Sequence, residues 1–321
     1  MARKLRVQYP GAIYHAMNRG DRREPIFLDD QDRRLFLDTL GEACEKTDWQ
    51  VHAWCLMSNH FHLVAETPRG NLVEGMHWFL GVYTNRFNRK HKEFGHLFSG
   101  RYKALPVDGS GDGYLKAVCD YVHLNPVRAG LLPPQEPLAA YPWSSYPLYL
   151  QEPSHRPVWL RVDRLLGEWG IPEDSGAGRA QLARHMEARR RAEGLGEYEP
   201  REWYLGSEEF RAELLAQVER QAGPRHVGEE VTQSAQAKAH RIIREELEAL
   251  GWGARELADR RKGDPEKLRV ATRLRRETTM TLAWIAQHLC MGSAGYVNYL
   301  LYRKALHQTN RNETPIQNKL F

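Results

Sequence analysis

The first 130 residues alternate between segments with strand-like and helix-like spacing of apolar residues. Strand patterns cover residues 12–18, 50–57, 60–66 and 101–107, and helix patterns cover residues 30–46, 71–90 and 114–125. In the longest helix pattern the apolar residues recur at helical spacing as Leu72, Met76, Phe79, Tyr83 and Phe87. This βαββαβ order followed by a helix predicts an α+β domain, with an antiparallel sheet and helices on one face.

Two histidines stand one residue apart in the strand pattern at residues 60–66. Because alternate side chains of a strand project to one face, we expect His60 and His62 side by side, about 6–7 Å apart at the backbone. Phe61, Leu63 and Ala65 form the other alternate set and should face the helices, which leaves both histidines on an open sheet face. With 14 histidines in 321 residues, ~0.6 such pairs arise by chance, so the pair alone indicates little.

A tyrosine and an amide four residues apart make the histidine pair more informative. Tyr121 and Asn125 would share one face of the helix predicted at residues 114–125. A tyrosine can hold a phosphate as an ester and later release it, but its phenol has a pKa near 10 and needs help from a divalent cation. Two imidazoles and an amide oxygen are ligands that such a cation accepts, so His60, His62 and Asn125 are candidate metal ligands.

The same helix contains competing candidates. Tyr114 is an alternative nucleophile, but the residue four positions on is Val118 rather than an amide. His123 points about 200° away from Tyr121 around the helix, so we expect it in the core or behind the site. Pro126 disfavours helical geometry at the preceding residue, so the helix is expected to fray or kink at Asn125.

Composition limits the class of protein. The chain is 41% hydrophobic and 27% charged, and it has no run of 18 apolar residues that could span a membrane. The basic first residues are not followed by an apolar signal core, so we expect a cytoplasmic protein. The cysteines are scattered, which favours reduced thiols over a disulfide framework or a zinc knuckle; they are Cys44, Cys55, Cys119 and Cys290.

The net charge of +5 permits a nucleic-acid partner without requiring one. Residues 1–150 contain 18 Lys and Arg against 16 Asp and Glu, so any basic surface there must be local. Arg86 and Arg89 belong to a basic run that could guide single-stranded DNA. Arg101 and Lys103 would share a strand face and could contact the DNA backbone. In both cases a plain solvated surface is the alternative.

The rest of the chain predicts two further regions. Residues 149–230 are rich in Pro and Gly and are interpreted as an extension and linker, and residues 231–321 as a helical module. Residues 282–289, a short turn and residues 294–303 have the rhythm of a helix-turn-helix, although its usual glycine falls at Gly292 instead of Cys290. Arg273 and Arg276 could then meet phosphates of duplex DNA, whereas an ordinary helical hairpin is the alternative.

Several ordered blocks resemble the REP-associated tyrosine transposases, relatives of the insertion-sequence single-tyrosine transposases among the HUH endonucleases. The blocks are Tyr14–Gly20, Ile26–Asp30, Met57–Val64, Gly100–Ala104, Asp120–Gly130 and Pro142–Ser145. Within residues 1–148 the resemblance implies a ferredoxin-like catalytic domain that nicks single-stranded DNA near imperfect, REP-like hairpins. It implies Mg²⁺ or Mn²⁺ held by His60, His62 and Asn125, and Tyr121 as the nucleophile that forms a 5′-phosphotyrosine and frees a 3′-OH.

Two other functions fit the sequence. A DNA-binding transcriptional regulator could keep the transposase fold without the chemistry, although the intact set of His60, His62, Tyr121 and Asn125 argues against such a loss. A zinc hydrolase could use the two histidines and water, but its nearest acidic residue on that strand face, Glu66, is distant. The oligomeric state is left open between monomer and homodimer.

Overall fold

The computed structural model describes residues 3–191, 203–221, 226–227, 229–278 and 280–312. The chain divides into two compact units. Arg6–Gln217 form the first, called here the N-terminal unit, and Met1–Leu5 with Val218–Phe321 form the second, called the C-terminal unit. No helix among the described residues is long and apolar enough to cross a membrane.

The strands are β1 (Arg3–Lys4), β2 (Ala12–Arg19), β3 (Gln50–Leu56), β4 (His60–Thr67), β5 (Lys103–Val107) and β6 (His226–Val227). The helices of the N-terminal unit are α1 (Asp30–Thr47), α2 (Leu72–His91), α3 (Tyr114–His123), α4 (Asn125–Arg128), α5 (Tyr146–Tyr149), α6 (Asp163–Glu168) and α7 (Gly176–Arg191). The unit boundary falls within α8 (Glu208–Gln221). The C-terminal unit then contains α9 (Glu229–Leu250), α10 (Ala254–Asp259), α11 (Pro265–Glu277), α12 (Leu282–His288) and α13 (Ala294–Asn312).

Four antiparallel strands build the sheet of the N-terminal unit in the order β3-β4-β2-β5. Strand β2 pairs with β4 from Ala12 opposite Thr67 to Arg19 opposite His60. Directly opposed residues share a face, so the register places Ala16 with Leu63 and Met17 with His62. The predicted α+β class with an antiparallel sheet is therefore confirmed.

Helices α1 and α2 pack on the face that carries Phe61. The ring of Phe36 from α1 lies 5.0 Å from that of Phe61 and 4.8 Å from that of Phe79 on α2. Asp29 forms a capping box at the start of α1, because its side chain accepts from the Asp32 backbone and Asp32 accepts in return. Apolar residues at helical spacing form one stripe along each helix, and that stripe is buried against the sheet. This is why the sequence pattern predicted both helices.

The opposite sheet face, which we expected to be open, is covered by α3. Helix α3 contacts β3 and β4, and His62 on that face is only 5% exposed. The structure also ends α3 at His123 and begins α4 at Asn125, so the predicted interruption is present but lies at Leu124, and Asn125 itself is helical. The histidine face is thus a packed layer rather than an exposed surface.

Later segments cover both edges of the sheet. Ser144 forms an antiparallel bridge with Cys55 on the β3 edge, and Leu160 forms a parallel bridge with Val51 nearby. At the β5 edge, Leu205 pairs with Val107. Covering exposed edges in this way prevents pairing with other chains. Parts of residues 149–230, predicted as an extension and linker, are therefore packed on the sheet, while the three domain boundaries themselves stay predictions.

A separate core holds the C-terminal unit together. Its buried residues come from α9, α11, α12 and α13 and include Ile242, Val270, Leu274, Ile285 and Val297. Lys267 on α11 is fully buried, and its Nζ donates to the carbonyl oxygens of Arg260 at 3.0 Å and Cys290 at 3.4 Å. That lysine ties the start of the module to the turn between α12 and α13.

Candidate active site

His60 and His62 stand side by side on β4, as predicted. Their ring centroids are 5.2 Å apart and their planes meet at 80°. His62 is buried, whereas His60 at the start of the strand is partly exposed. One face of β4 therefore carries one partly exposed imidazole, that of His60, and one buried imidazole, that of His62.

Hydrogen bonds hold the Nδ1 atom of each ring. His60 Nδ1 lies 2.8 Å from Asn59 Oδ1, and an amide oxygen only accepts, so this nitrogen donates. His60 then carries its lone pair on Nε2. His62 Nδ1 lies 2.9 Å from Nε2 of His15, which leaves the Nε2 atom of His62 directed elsewhere. This pattern suits a pair of neutral imidazoles that bind a cation through Nε2.

The surroundings keep these histidines uncharged. Burial lowers the pKa of His15 to about 3, and burial with the nearby charge of Arg19 lowers the pKa of His60 to about 4. Burial, followed by the effects of His15 and His60, holds the pKa of His62 well below its ordinary value. Neutral imidazole is the form that ligates metals.

His15 is a member of the site that the residue patterns had not singled out. It lies on β2 with no exposed surface, and its ring stacks on that of His62 at 5.1 Å. In the register of β2 with β4, His15 opposes Val64 and is diagonal to His62. Pairing the strand patterns of residues 12–18 and 60–66 could have revealed it, but no local spacing fixes that register.

Tyr121 is the tyrosine whose ring lies against these histidines. Its centroid is 5.6 Å from that of His62 and 5.8 Å from that of His15, both edge to face. The guanidinium carbon of Arg128 lies 4.9 Å from the same ring. An arginine at this position can also meet a phosphate that lies beside the tyrosine.

Asn125 sits one turn after Tyr121 and is buried, with 8% of its surface exposed. Its Nδ2 donates to the Tyr121 carbonyl oxygen at 3.4 Å. The amide oxygen is then the Asn125 atom suited to a cation. Among the described residues no group of three or more His, Cys, Asp and Glu side chains is placed to hold a metal ion. A cation here would rest on two imidazoles and the amide, with further positions for water or phosphate.

Other residues singled out in the sequence lie apart from these contacts. His123 is fully packed, and its Nε2 lies 2.8 Å from Ser145 Oγ, in the core as expected. Glu66, at the far end of β4, pairs with Arg164 at 2.8 Å and Arg161 at 3.2 Å. Burial raises the pKa of Glu66, but hydrogen bonds from His52 and Arg164 outweigh it and bring the pKa to about 2. Such a carboxylate is a poor general base near neutral pH.

Some of the predicted DNA-contacting residues are exposed, and the others are paired with carboxylates. Arg89, Arg101 and Lys103 are exposed, and Lys103 opens β5 opposite Met17. Arg86 is held by Glu42 through two hydrogen bonds of 2.7 and 3.0 Å. In the C-terminal unit, Arg273 and Arg276 are likewise engaged with acidic partners, which are Glu245, Glu246 and Glu277 for Arg273 and Glu277 for Arg276. All of these DNA-binding roles stay predictions.

Known proteins resemble the part of the chain that carries this geometry. Residues 8–125 match the family model described as "Transposase IS200 like". The resemblance to these transposases is confirmed over that stretch. The match contains the sheet, both strand histidines, Tyr121 and Asn125, and it ends at Asn125, so the remaining residues lie outside it.

The solved structures include a REP-associated tyrosine transposase bound to a REP hairpin. It is similar with 14% sequence identity and a TM-score of 0.38, over 46% of this chain and 84% of that chain. No curated protein matches the chain.

Proposed function

We propose that the N-terminal unit is a metal-dependent endonuclease and strand transferase of the HUH type that acts on single-stranded DNA near hairpins. The observation that carries this proposal is the contact of the Tyr121 ring with His62 and His15, at 5.6 and 5.8 Å. It brings the proposed nucleophile from a helix to one candidate ligand, His62, and to the histidine that supports it, within a stretch that matches a family of DNA-processing enzymes.

The proposed reaction exchanges one phosphate ester for another. Tyr121 Oη attacks the scissile phosphorus, an Oη–P bond forms and the bond from phosphorus to the 3′-oxygen breaks. The phenol loses its proton, and the departing oxygen gains one to become a 3′-OH. The phosphotyrosine retains the bond energy, so a second 3′-OH can attack it and join strands.

Each residue has a stated part in this proposal. His60, His62 and Asn125 would hold Mg²⁺ or Mn²⁺, whose charge polarises the scissile phosphate when it is bound. His15 orients His62 through the 2.9 Å hydrogen bond. Arg128, beside the Tyr121 ring, would stabilise negative charge on the phenol or on the phosphate. REP-like hairpins as the DNA, and the predicted cytoplasmic location, are also proposals.

The first experiment looks for the covalent intermediate between Tyr121 and DNA. Labelled single-stranded oligonucleotides carrying hairpins from the DNA beside its own gene are incubated with the protein and Mg²⁺ or Mn²⁺. We expect a protein–DNA adduct on denaturing gels that disappears in Tyr121→Phe, with at least a thousandfold loss, while hairpin binding remains. Tyr114→Phe is the matched control and should form the adduct.

Three other outcomes separate the alternatives. Hairpin binding without an adduct for any metal would favour the non-catalytic regulator. Cleavage that survives in Tyr121→Phe would favour a hydrolase that uses water, although the low pKa of Glu66 removes the nearest candidate base on that strand. An adduct that survives in His60→Ala would refute the ligand assignment.

A further inference from the structure

Three tyrosines form an exposed stripe on α13. Tyr296, Tyr299 and Tyr302 are 39%, 52% and 62% exposed, and their spacing of three places them along one side of the helix. Val297 on the other side is fully buried in the core of the C-terminal unit. Large exposed aromatic side chains in a row commonly mark a binding surface. The tyrosine stripe is therefore a candidate binding surface.

The stripe lies on the second of two helices that a short turn joins. Helices α12 and α13 pack together, and α11 packs against both. Ser293 begins α13 by accepting the Tyr296 backbone N–H on its Oγ at 3.2 Å. In a helix-turn-helix the second helix enters the major groove, whose width of about 12 Å matches that of a helix with its side chains.

Charge favours DNA as the partner. The C-terminal unit contains 20 Lys and Arg against 12 Asp and Glu, whereas the N-terminal unit contains 26 against 29. The positive charge of the whole chain therefore resides in the unit that carries the stripe. Arg303 lies next to it, with its guanidinium carbon 5.7 Å from the Tyr299 ring centroid and Nη1 3.4 Å from Tyr299 Oη.

The arginines of α11 face a different set of neighbours. Arg273 bonds to Glu245 and Glu246 on α9, and Arg269 lies 2.6 Å from Glu246. Phosphate contact by these side chains would first require breaking those ion pairs. The α13 surface carries exposed rings and Arg303 instead, so it is the better candidate for the DNA contact.

We propose that the tyrosine stripe of α13, together with Arg303, contacts duplex DNA in the major groove. Tyrosine rings pack on thymine methyl groups, their hydroxyls bond to base edges or phosphates, and Arg303 neutralises phosphate charge. The inference concerns the helical module that the sequence predicts at residues 231–321, and it does not depend on the cleavage chemistry. Binding therefore tests it even if no tyrosyl adduct forms.

The test measures binding of the full chain to fluorescent mixed-sequence duplexes of about three helical turns by anisotropy, at low and at physiological salt. We expect the triple variant Tyr296→Ser, Tyr299→Ser, Tyr302→Ser to bind at least tenfold more weakly. The control variant carries Phe94→Ser and Val158→Ser, which remove exposed apolar side chains (93% and 98% exposed) from the N-terminal unit, and should bind like the wild type.

Further measurements separate a loss of DNA contact from unfolding and from self-association. Circular dichroism checks that the triple variant is folded, and Tyr302→Ser alone, at the most exposed position, should already weaken binding. A triple variant that binds duplex as tightly as the wild type overturns the proposal, as does a wild type with no duplex affinity. If light scattering instead shows a wild-type dimer that the triple variant converts to monomer, with duplex affinity unchanged, the stripe is a self-association surface and the proposal is wrong.

Discussion

At the scale of single residues, the hydrogen bond between His15 Nε2 and His62 Nδ1 is the least expected feature of the site. His62 has one nitrogen held by His15 and the other directed away from it, so His15 decides which nitrogen can ligate a cation. Such supporting hydrogen bonds orient a ligand ring and set its tautomer. His15 is thus a positioning residue in the proposed metal site.

Replacing His15 should weaken metal binding without removing a ligand. We expect His15→Leu to lower Mn²⁺ affinity about 10–100-fold, because His62 loses the partner of its Nδ1. Electron paramagnetic resonance of free Mn²⁺ measures the affinity without any cleavage assay. His15→Gln, whose amide can still pair with His62, should restore most of it, and His77→Leu on the exposed side of α2 serves as the control. Equal affinity in His15→Leu and wild type would contradict the role.

A buried carboxyl group next to Tyr121 predicts a pH effect on stability. Asp120 is 2% exposed, and burial raises its pKa to about 7 despite Arg189, whose Nε lies 3.2 Å away. The ordinary pKa of about 3.9 applies when the chain is unfolded. Between these values the folded chain holds a proton that the unfolded chain has lost. This contribution to stability is therefore complete below pH 4 and is lost as the pH rises through 7.

Asp120→Asn should remove that dependence. We expect the free energy of unfolding of the wild type, relative to the variant, to fall by up to about 1.4 kcal/mol per pH unit between pH 4 and 7. Urea unfolding at pH 4.5, 6 and 7.5 measures it. The exposed Asp38→Asn on α1 provides the comparison, and parallel curves for wild type and Asp120→Asn would refute the assignment.

At the scale of elements, the turn between α12 and α13 departs from the usual sequence rule. Cys290 has φ of +50° and Gly292 has φ of +89°, so both positions adopt left-handed backbone. The sequence contains glycine at only the second of them. The left-handed backbone at Cys290 therefore raises the free energy of the folded state, and a glycine there would not.

Cys290→Gly should stabilise the C-terminal unit by about 0.5–1 kcal/mol, because relief of about 1–2 kcal/mol of left-handed strain exceeds the added freedom of the unfolded chain. Gly292→Ala should have the opposite effect, since its new Cβ would also lie 3.2 Å from Lys262 Cδ. Thermal unfolding followed by circular dichroism compares the two. A lower midpoint for Cys290→Gly than for wild type would show that the thiol makes a contact worth more than the strain.

Helices and strands were predicted well where burial follows a regular period. The helix predicted at residues 30–46 spans Asp30–Thr47 in the structure, and the helix predicted at residues 71–90 spans Leu72–His91. The strand predicted at residues 101–107 begins two residues later, at Lys103. Strand ends depend on pairing with a neighbour, which local spacing does not encode.

At the scale of the whole molecule, the two units differ in charge as well as in fold. The N-terminal unit, which carries the proposed chemistry, is slightly acidic, and the C-terminal unit is strongly basic. The small net charge of the first 150 residues could not reveal this, because the contrast appears only when the unit boundary is known. Long-range attraction to DNA would then come mainly from the C-terminal unit.

The sequence by itself determined the order of strands and helices, the common face of His60 and His62, and the spacing of Tyr121 and Asn125. These follow from backbone periods of two residues in strands and 3.6 in helices, which any chain obeys locally. Only the tertiary structure decided that α3 covers the histidine face, that His15 joins the site and that Arg273 is held by glutamates. Those outcomes depend on pairing and packing between segments far apart in the chain, and no local period specifies such contacts.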